Sequence, residues 1–310
     1  MRRATALWAW SLLPVIGMGM WTASGPARAF LSEFGIEGMG VVSTKASEVR
    51  ATVSPDGQRI VWGSTDREGG PGGWDLWQAR LKDGRWQDAQ PLALNTRAKE
   101  FDPSFSADGR WLYFFSDRPG GQGGDDLYRV AVQRDGGFGT PENLGPGVNT
   151  RGDEWAPTPS RDGQALLFAS DGHGGAGRHD LFIAHWDGKA FAGARAAPGV
   201  NTRDDEFDAA WLDDGHGLVF TRSKDVDTQP VRLFVARCDG RAYTDITPLA
   251  LSFNTPDGST FGPAIDWNKP GELLVTGTAK APRAGKLDIY RMKAPASKGQ
   301  AGCTAGSSAR

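Results

Sequence analysis

The sequence is short of the residues that carry most thiol and metal chemistry. It has two Cys and four His in 310 residues. Two cysteines cannot build a four-thiolate zinc site or a disulfide framework, and one bridge is the most they can form. Neither sign of charge dominates: 35 Lys and Arg face 37 Asp and Glu, for a net charge of −2. That balance excludes the basic stripe which nucleic-acid binding requires. Beyond residue 21 no apolar run is long enough to cross a bilayer. No stretch after residue 29 has a sustained helical period. There is no nucleophile elbow, phosphate loop, metalloprotease helix or Asp-x-Asp-x-Asp-Gly calcium loop. No cofactor, no metal and no catalytic residue is assigned on this basis. What the chain does have is glycine, at 43 residues, and tryptophan, at 12.

The N-terminus reads as an export signal. Arg2 and Arg3 precede an apolar run from Ala4 to Trp21, and Ala27-Arg28-Ala29 is a small-x-small cleavage pattern before Phe30. Cleavage there removes three Arg and no acid, leaving 32 basic against 37 acidic residues. The expected organisation is a signal peptide over 1–29, a repeat domain over 30–293 and a flexible tail over 294–310. The expected location is periplasmic or secreted, with no membrane span after cleavage, and the expected state is a monomer.

The rest of the chain is periodic. Ser116-Asp117-Arg118-Pro119-Gly120-Gly121-Gln122-Gly123-Gly124-Asp125-Asp126-Leu127-Tyr128 has counterparts from Ser64 to Trp77 and from Ser170 to Phe182, with worn copies ending at Phe234 and Tyr290. A second phrase recurs at Asn95-Thr96, Asn149-Thr150, Asn201-Thr202 and Asn254-Thr255. A fixed period of about 50 residues marks a repeat architecture. Each repeat resolves into four short strands. In one repeat these are Asp102–Ser106, Trp111–Ser116, Asp126–Val132 and Leu144–Val148, with Asp-Gly hairpins between some of them. The second strands, such as Leu112-Tyr113-Phe114 and Leu166-Leu167-Phe168, are apolar without alternation, as strands buried on both faces are. The fold expected is all-β: a β-propeller of five four-stranded blades. Five second strands but only four complete fourth strands follow residue 48. Gly40-Val41-Val42-Ser43-Thr44 with Glu48 matches Gly147-Val148-Asn149-Thr150 with Glu154, so the N-terminal segment is expected to supply the last blade's fourth strand.

The phrase Leu144-Gly145-Pro146-Gly147-Val148-Asn149-Thr150 with Glu154 and Pro157, together with Ser-Asp-Arg-x-Gly-Gly-x-Gly-Gly-x-Asp-Leu-Tyr, resembles the WD40-like repeats of TolB-type envelope propellers. The resemblance covers roughly residues 38–293 and does not include the α/β domain that precedes the six-bladed ring in TolB. It implies an envelope propeller that binds a protein or a glycan.

The Gly-rich loops and the Asn-Thr phrases are expected on one face, and function tends to sit in such loops. Glu48, Glu100, Glu154 and Glu206 follow each Thr by four positions, with Ser259 in the fifth repeat, so four carboxylates are expected at the channel mouth. Asp66, Asp117 and Asp171 lie outside them. These seven are the candidate ligand-binding residues. The competing reading is that each Glu bonds backbone N–H groups or pairs with Arg67, Arg118 or Arg222. Asp75, Asp126, Asp180 and Asp288 precede the third strands and read as acceptors for loop N–H groups. His173, His179 and His185 fall in one repeat, but His185 belongs at the far end of its strand. Cys238 and Cys303 are expected to form a disulfide in an oxidising compartment. The function expected is a protein- or glycan-binding envelope module acting through its loop-rich face. The alternative is a glycan-degrading enzyme with a carboxylate-lined funnel.

Overall fold

The computed structural model describes residues 33–304, so the expected signal peptide and cleavage point lie outside the described residues. The strands are β1 (Glu33–Ile36), then β2 (Glu48–Val53), β3 (Arg59–Ser64), β4 (Asp75–Lys82) and β5 (Arg85–Pro91) in the first blade. The second blade is β6 (Glu100–Phe105), β7 (Trp111–Ser116), β8 (Asp126–Ala131) and β9 (Glu142–Asn143). The third is β10 (Glu154–Pro159), β11 (Ala165–Ser170), β12 (Asp180–Trp186) and β13 (Phe191–Ala196). The fourth is β14 (Asp205–Leu212), β15 (Gly217–Ser223), β16 (Arg232–Cys238) and β17 (Tyr243–Pro248). The fifth has β18 (Thr260–Ile265), β19 (Glu272–Gly277) and β20 (Asp288–Lys293), and β1 pairs antiparallel to β20 as its outer strand. The described residues thus form a five-bladed propeller whose last blade is closed by the N-terminal strand.

Packing between blades follows from the apolar second strands. Val61, Leu112, Leu166, Val219 and Leu274 are fully buried, and each such side chain contributes about 1.5–3 kcal/mol on leaving water.

Two strand boundaries differ from the sequence reading. The closing strand is Glu33–Ile36, and Gly40–Thr44 is the turn that follows it. Likewise Leu144–Val148 is not a strand; the fourth strand of that blade is β9, and the Gly-Val-Asn phrase leads out of it. The apolar residues of the phrase misled because they are buried for another reason. Val42, Val148 and Val200 plug into the core at zero exposure, while the next residue stitches the turn to the blade. Asn95, Asn149, Asn201 and Asn254 each accept the N–H and bond the carbonyl of the second residue of a third strand: Leu76, Leu127, Leu181 and Leu233. In the closing blade Ser43 does the same to Ile289 with its hydroxyl.

The glycine-rich loops are close-packed against the connection to the next blade. A Cβ on Gly72, Gly123, Gly177 or Gly285 would fall 2.1–2.7 Å from backbone atoms of residues 98, 151, 204 and 44 respectively. The aspartate that begins four of the five third strands accepts N–H groups from this loop, as Asp126 does from Gln122 and Asp180 from Gly177.

Candidate functional site

The four glutamates start the inner strands, but they do not face a channel mouth. Glu48, Glu100, Glu154 and Glu206 are all at zero exposure. Each accepts the backbone N–H and the hydroxyl of the Thr four residues earlier, at 2.5–2.9 Å for Thr44, Thr96, Thr150 and Thr202. Arg118 and Arg222 then bond Glu100 (2.9 Å) and Glu206 (2.6 Å). The same guanidinium groups lie over the rings of Phe114 and Tyr128, and of Phe220 and Phe234, and they donate to carbonyls of the preceding turn, Leu94 and Val200. Arg67 repeats the pattern with Val41 O, Trp62 and Trp77. In the third blade His173 replaces the arginine: its Nε2 lies 2.6 Å from Val148 O and its ring packs on Phe168 and Phe182. Burial pushes Glu48, Glu154 and Glu206 above the ordinary carboxylate range, and the Thr bonds only partly offset this. In the fifth blade Thr260, not Ser259, occupies the glutamate's place. It pairs with Gly277 as Glu100 pairs with Ser116, because the connection there is one residue longer. In this arrangement the four glutamates staple the inter-blade turns.

The three outer aspartates are exposed but also engaged. Asp66, Asp117 and Asp171 accept the N–H of Ser47, Lys99 and Asp153, the residues just before each glutamate. Lys286 bonds the second oxygen of Asp66 and holds its carboxyl below the usual range.

The groups that break the repeat lie on the axis, one turn deeper. The residue two positions after each glutamate, or after Thr260 in the fifth blade, is left-handed: Arg50, Asp102, Ala156, Asp208 and Gly262 have φ of 41–61°. Each inner strand carries a bulge at this register, which turns the residue toward the axis. Arg50 is 1% exposed; it lies 3.5 Å from Asp208 and donates to Thr158 Oγ1 at 2.6 Å. Burial pushes both Asp102 and Asp208 up, and for Asp102 the neighbouring Asp208 adds to the effect while Arg50 opposes it. Sequence reading missed this cluster because positions three and five of an inner strand look like ordinary alternation. The signal available was chemical: Arg, Asp, Ala, Asp and Gly at one register, where the glutamate two residues earlier repeats in four blades.

Below Arg50 the axis widens into a cavity of about 810 Å³ that opens on the face opposite the Gly-rich loops. Trp211, Trp267, Arg161, Asp213 and Asp214 line it. Three blades end here in short Asp-Gly turns, but the fourth and fifth do not. The turn from Asp266 to Gly271 crosses the mouth, with Trp267 Nε1 bonding Phe105 O (2.8 Å) and Asn268 bonding Pro55 O (3.1 Å). Residues 294–304, expected as part of a flexible tail, are docked along the same face. Ser297 N donates to Asp213, Gln300 N to Cys238 O, and Thr304 O contacts His185 Nε2 at 2.7 Å. Cys303 is bonded to Cys238 and buried.

No protein-family model and no curated protein matches the chain. Solved structures do. TolB from Agrobacterium tumefaciens aligns with a TM-score of 0.50 at 15% identity, over 86% of each chain. TolB from Acinetobacter baumannii aligns at 12% identity and a TM-score of 0.48 over 81% of this chain, which spans 55% of that protein's length. The α-L-arabinofuranosidase PaAbf62A from Podospora anserina, solved with cellotriose, aligns with a TM-score of 0.53 at 12% identity, over 85% of this chain and 96% of its own. At these identities the likeness is one of fold. The class defined is a five-bladed β-propeller, and no described helix is long and apolar enough to cross a membrane.

Proposed function

We propose that the protein is an exported envelope propeller that binds a glycan in its axial cavity. The observation that carries this reading is the cavity itself. It combines two tryptophans with Arg50, Arg161 and three carboxylates, Asp162, Asp213 and Asp214, around one opening. Apolar ring faces stack on the C–H faces of sugars, while convergent charged groups bond their hydroxyls, and a site of this volume holds a short saccharide. The four buried glutamates of the opposite face support it by exclusion, since they are at zero exposure and bond the Thr four residues earlier. The test is calorimetric titration of the mature protein with a panel of envelope oligosaccharides. One or more should bind at one equivalent, and Trp267→Ala should weaken that binding at least about tenfold, the loss of about 1.4 kcal/mol. If no saccharide binds, or binding is indifferent to Trp267, the reading fails.

A second reading, a glycan hydrolase, draws on the axial Asp102 and Asp208, since burial raises both carboxyls and a glycosidase needs one such group as its general acid. Against it, both groups are at most 6% exposed, and Arg50 stands between them and the cavity. Release of reducing sugar that disappears in Asp102→Asn would establish it over simple binding.

A further inference from the structure

The residues before each glutamate, after each second strand and before each third strand meet at the loop-rich face. In the second blade these are Lys99, Asp117 and Asp125. The Lys99 ammonium lies 3.0 Å from Asp125 and 3.8 Å from Asp117, so an internal cation neutralises two acids. In the third blade the same three positions hold Asp153, Asp171 and His179. The equivalence is structural: Lys99 N donates to Asp117 and Asp153 N donates to Asp171 in the same way. The lysine has become a third donor, and its positive charge is gone.

What remains is a set of three metal-ligating side chains, of which the imidazole is unsatisfied. Asp153, Asp171 and His179 each offer one ligand atom, and these atoms lie within 4.8 Å of one another. His179 is at zero exposure, yet neither ring nitrogen has a hydrogen-bond partner. Its ring stacks on Trp155 at 4.1 Å, which fixes its plane. The nearest further carboxylate, Asp205, is 3.7 Å from Nδ1, and its oxygens already accept the N–H groups of His179 and Val226. Asp153 and Asp171 each use one oxygen for a backbone N–H, from Asp125 and Asp153, which orients the carboxylate and leaves the other oxygen available. A buried imidazole without a partner is costly, and its placement among these carboxylates points to a ligand.

We propose that Asp153, Asp171 and His179 bind a divalent transition metal of the zinc class where the second blade carries its lysine. One imidazole with two carboxylates is a nitrogen–oxygen set suited to Zn²⁺ or Mn²⁺. Three donors around one such ion sit about 3.4 Å apart at metal–ligand distances near 2.1 Å. Rotation of the exposed Asp171 and half-exposed Asp153 side chains closes the set to that spacing. Three protein ligands leave at least one position open to water or to a donor from a partner.

The experiment is calorimetric titration of tag-free mature protein, stripped with chelator, with ZnCl₂ and MnCl₂. The expected result is one equivalent of Zn²⁺ bound. His179→Ala and Asp171→Asn should each weaken it at least about 100-fold, the upper range for disturbing even an outer-sphere partner. Asp153→Lys, which restores the second blade's internal cation, should abolish binding while the melting temperature stays at or above that of the stripped wild type. Absence of saturable binding by either ion overturns the proposal. So does binding that Asp171→Asn leaves unchanged, a decisive variant because Asp171 is exposed and its replacement does not threaten folding.

Discussion

Asn149 and Leu127 share a pair of hydrogen bonds, with Leu127 N donating to Asn149 Oδ1 at 2.8 Å and Asn149 Nδ2 donating to Leu127 O at 3.0 Å. A side chain here completes a strand ladder at the point where the fourth strand ends. Asn149 is buried, so Asn149→Ala strands the Leu127 N–H, while the Leu127 carbonyl keeps the N–H of Leu144. The expected cost is about 1–3 kcal/mol, from one buried unsatisfied donor. Urea unfolding of the variant checks it. Ser43, which makes the same pair of contacts with one hydroxyl, shows that geometry rather than the amide is essential.

Closure of the ring rests on β1. Besides its ladder with β20, the segment after it places Glu37 against Arg291 and Trp86. A mature chain that starts at Gly38 exposes the β20 edge and leaves Arg291 with Asp266 and Glu272. It should melt well below the full mature protein and associate with itself, as unpaired edges do. Differential scanning calorimetry with light scattering measures both, and an unchanged melting temperature would show that closure contributes nothing.

The Cys238–Cys303 bridge spans 65 residues and ties the docked segment to the fourth blade. Cys303→Ser should destabilise the fold by about 2–5 kcal/mol, chiefly by freeing the unfolded chain. It should also increase proteolysis between residues 294 and 304, because that segment then loses its covalent tie to the fourth blade. Limited trypsin digestion followed by mass spectrometry reads this directly.

The axial pair gives a pH signature. Asp102 and Asp208 hold protons to higher pH in the folded chain than in the unfolded one, where the value is about 3.9. The folded state therefore binds more protons above that value, and stability falls as pH rises toward the folded values. Asp102→Asn removes one of these groups and leaves Arg50 its partner Asp208. Its melting temperature should gain on the wild type between pH 5 and pH 7.5. Thermal melts at the two values check this, and a constant difference contradicts it.

The fold was legible in the sequence because its causes repeat. Apolar second strands, Gly-rich loops and Asn-Thr phrases recur five or four times, and a propeller is the arrangement that buries such strands on both faces. The site was much less legible. The four glutamates drew attention through repetition, yet repetition is what a structural staple displays. His173 standing in for Arg118 and Arg222 was hidden because an imidazole and a guanidinium look unrelated until both meet the same turn carbonyl. Arg50 and Asp208 come from the first and fourth blades and are 158 residues apart, so only ring closure brings them together. The cavity depends on departures such as Trp267-Asn268-Lys269 where other blades have an Asp-Gly turn, and a departure has no period to reveal it.

Hydrogen–deuterium exchange with and without the saccharide selected by calorimetry distinguishes the two faces. Binding in the axial cavity should slow exchange over 161–164, 211–214 and 265–271 and in the docked segment 294–304, with the loops at 64–75, 116–126 and 170–180 unchanged. Protection confined to those Gly-rich loops, with the axial cavity unaffected, would contradict it.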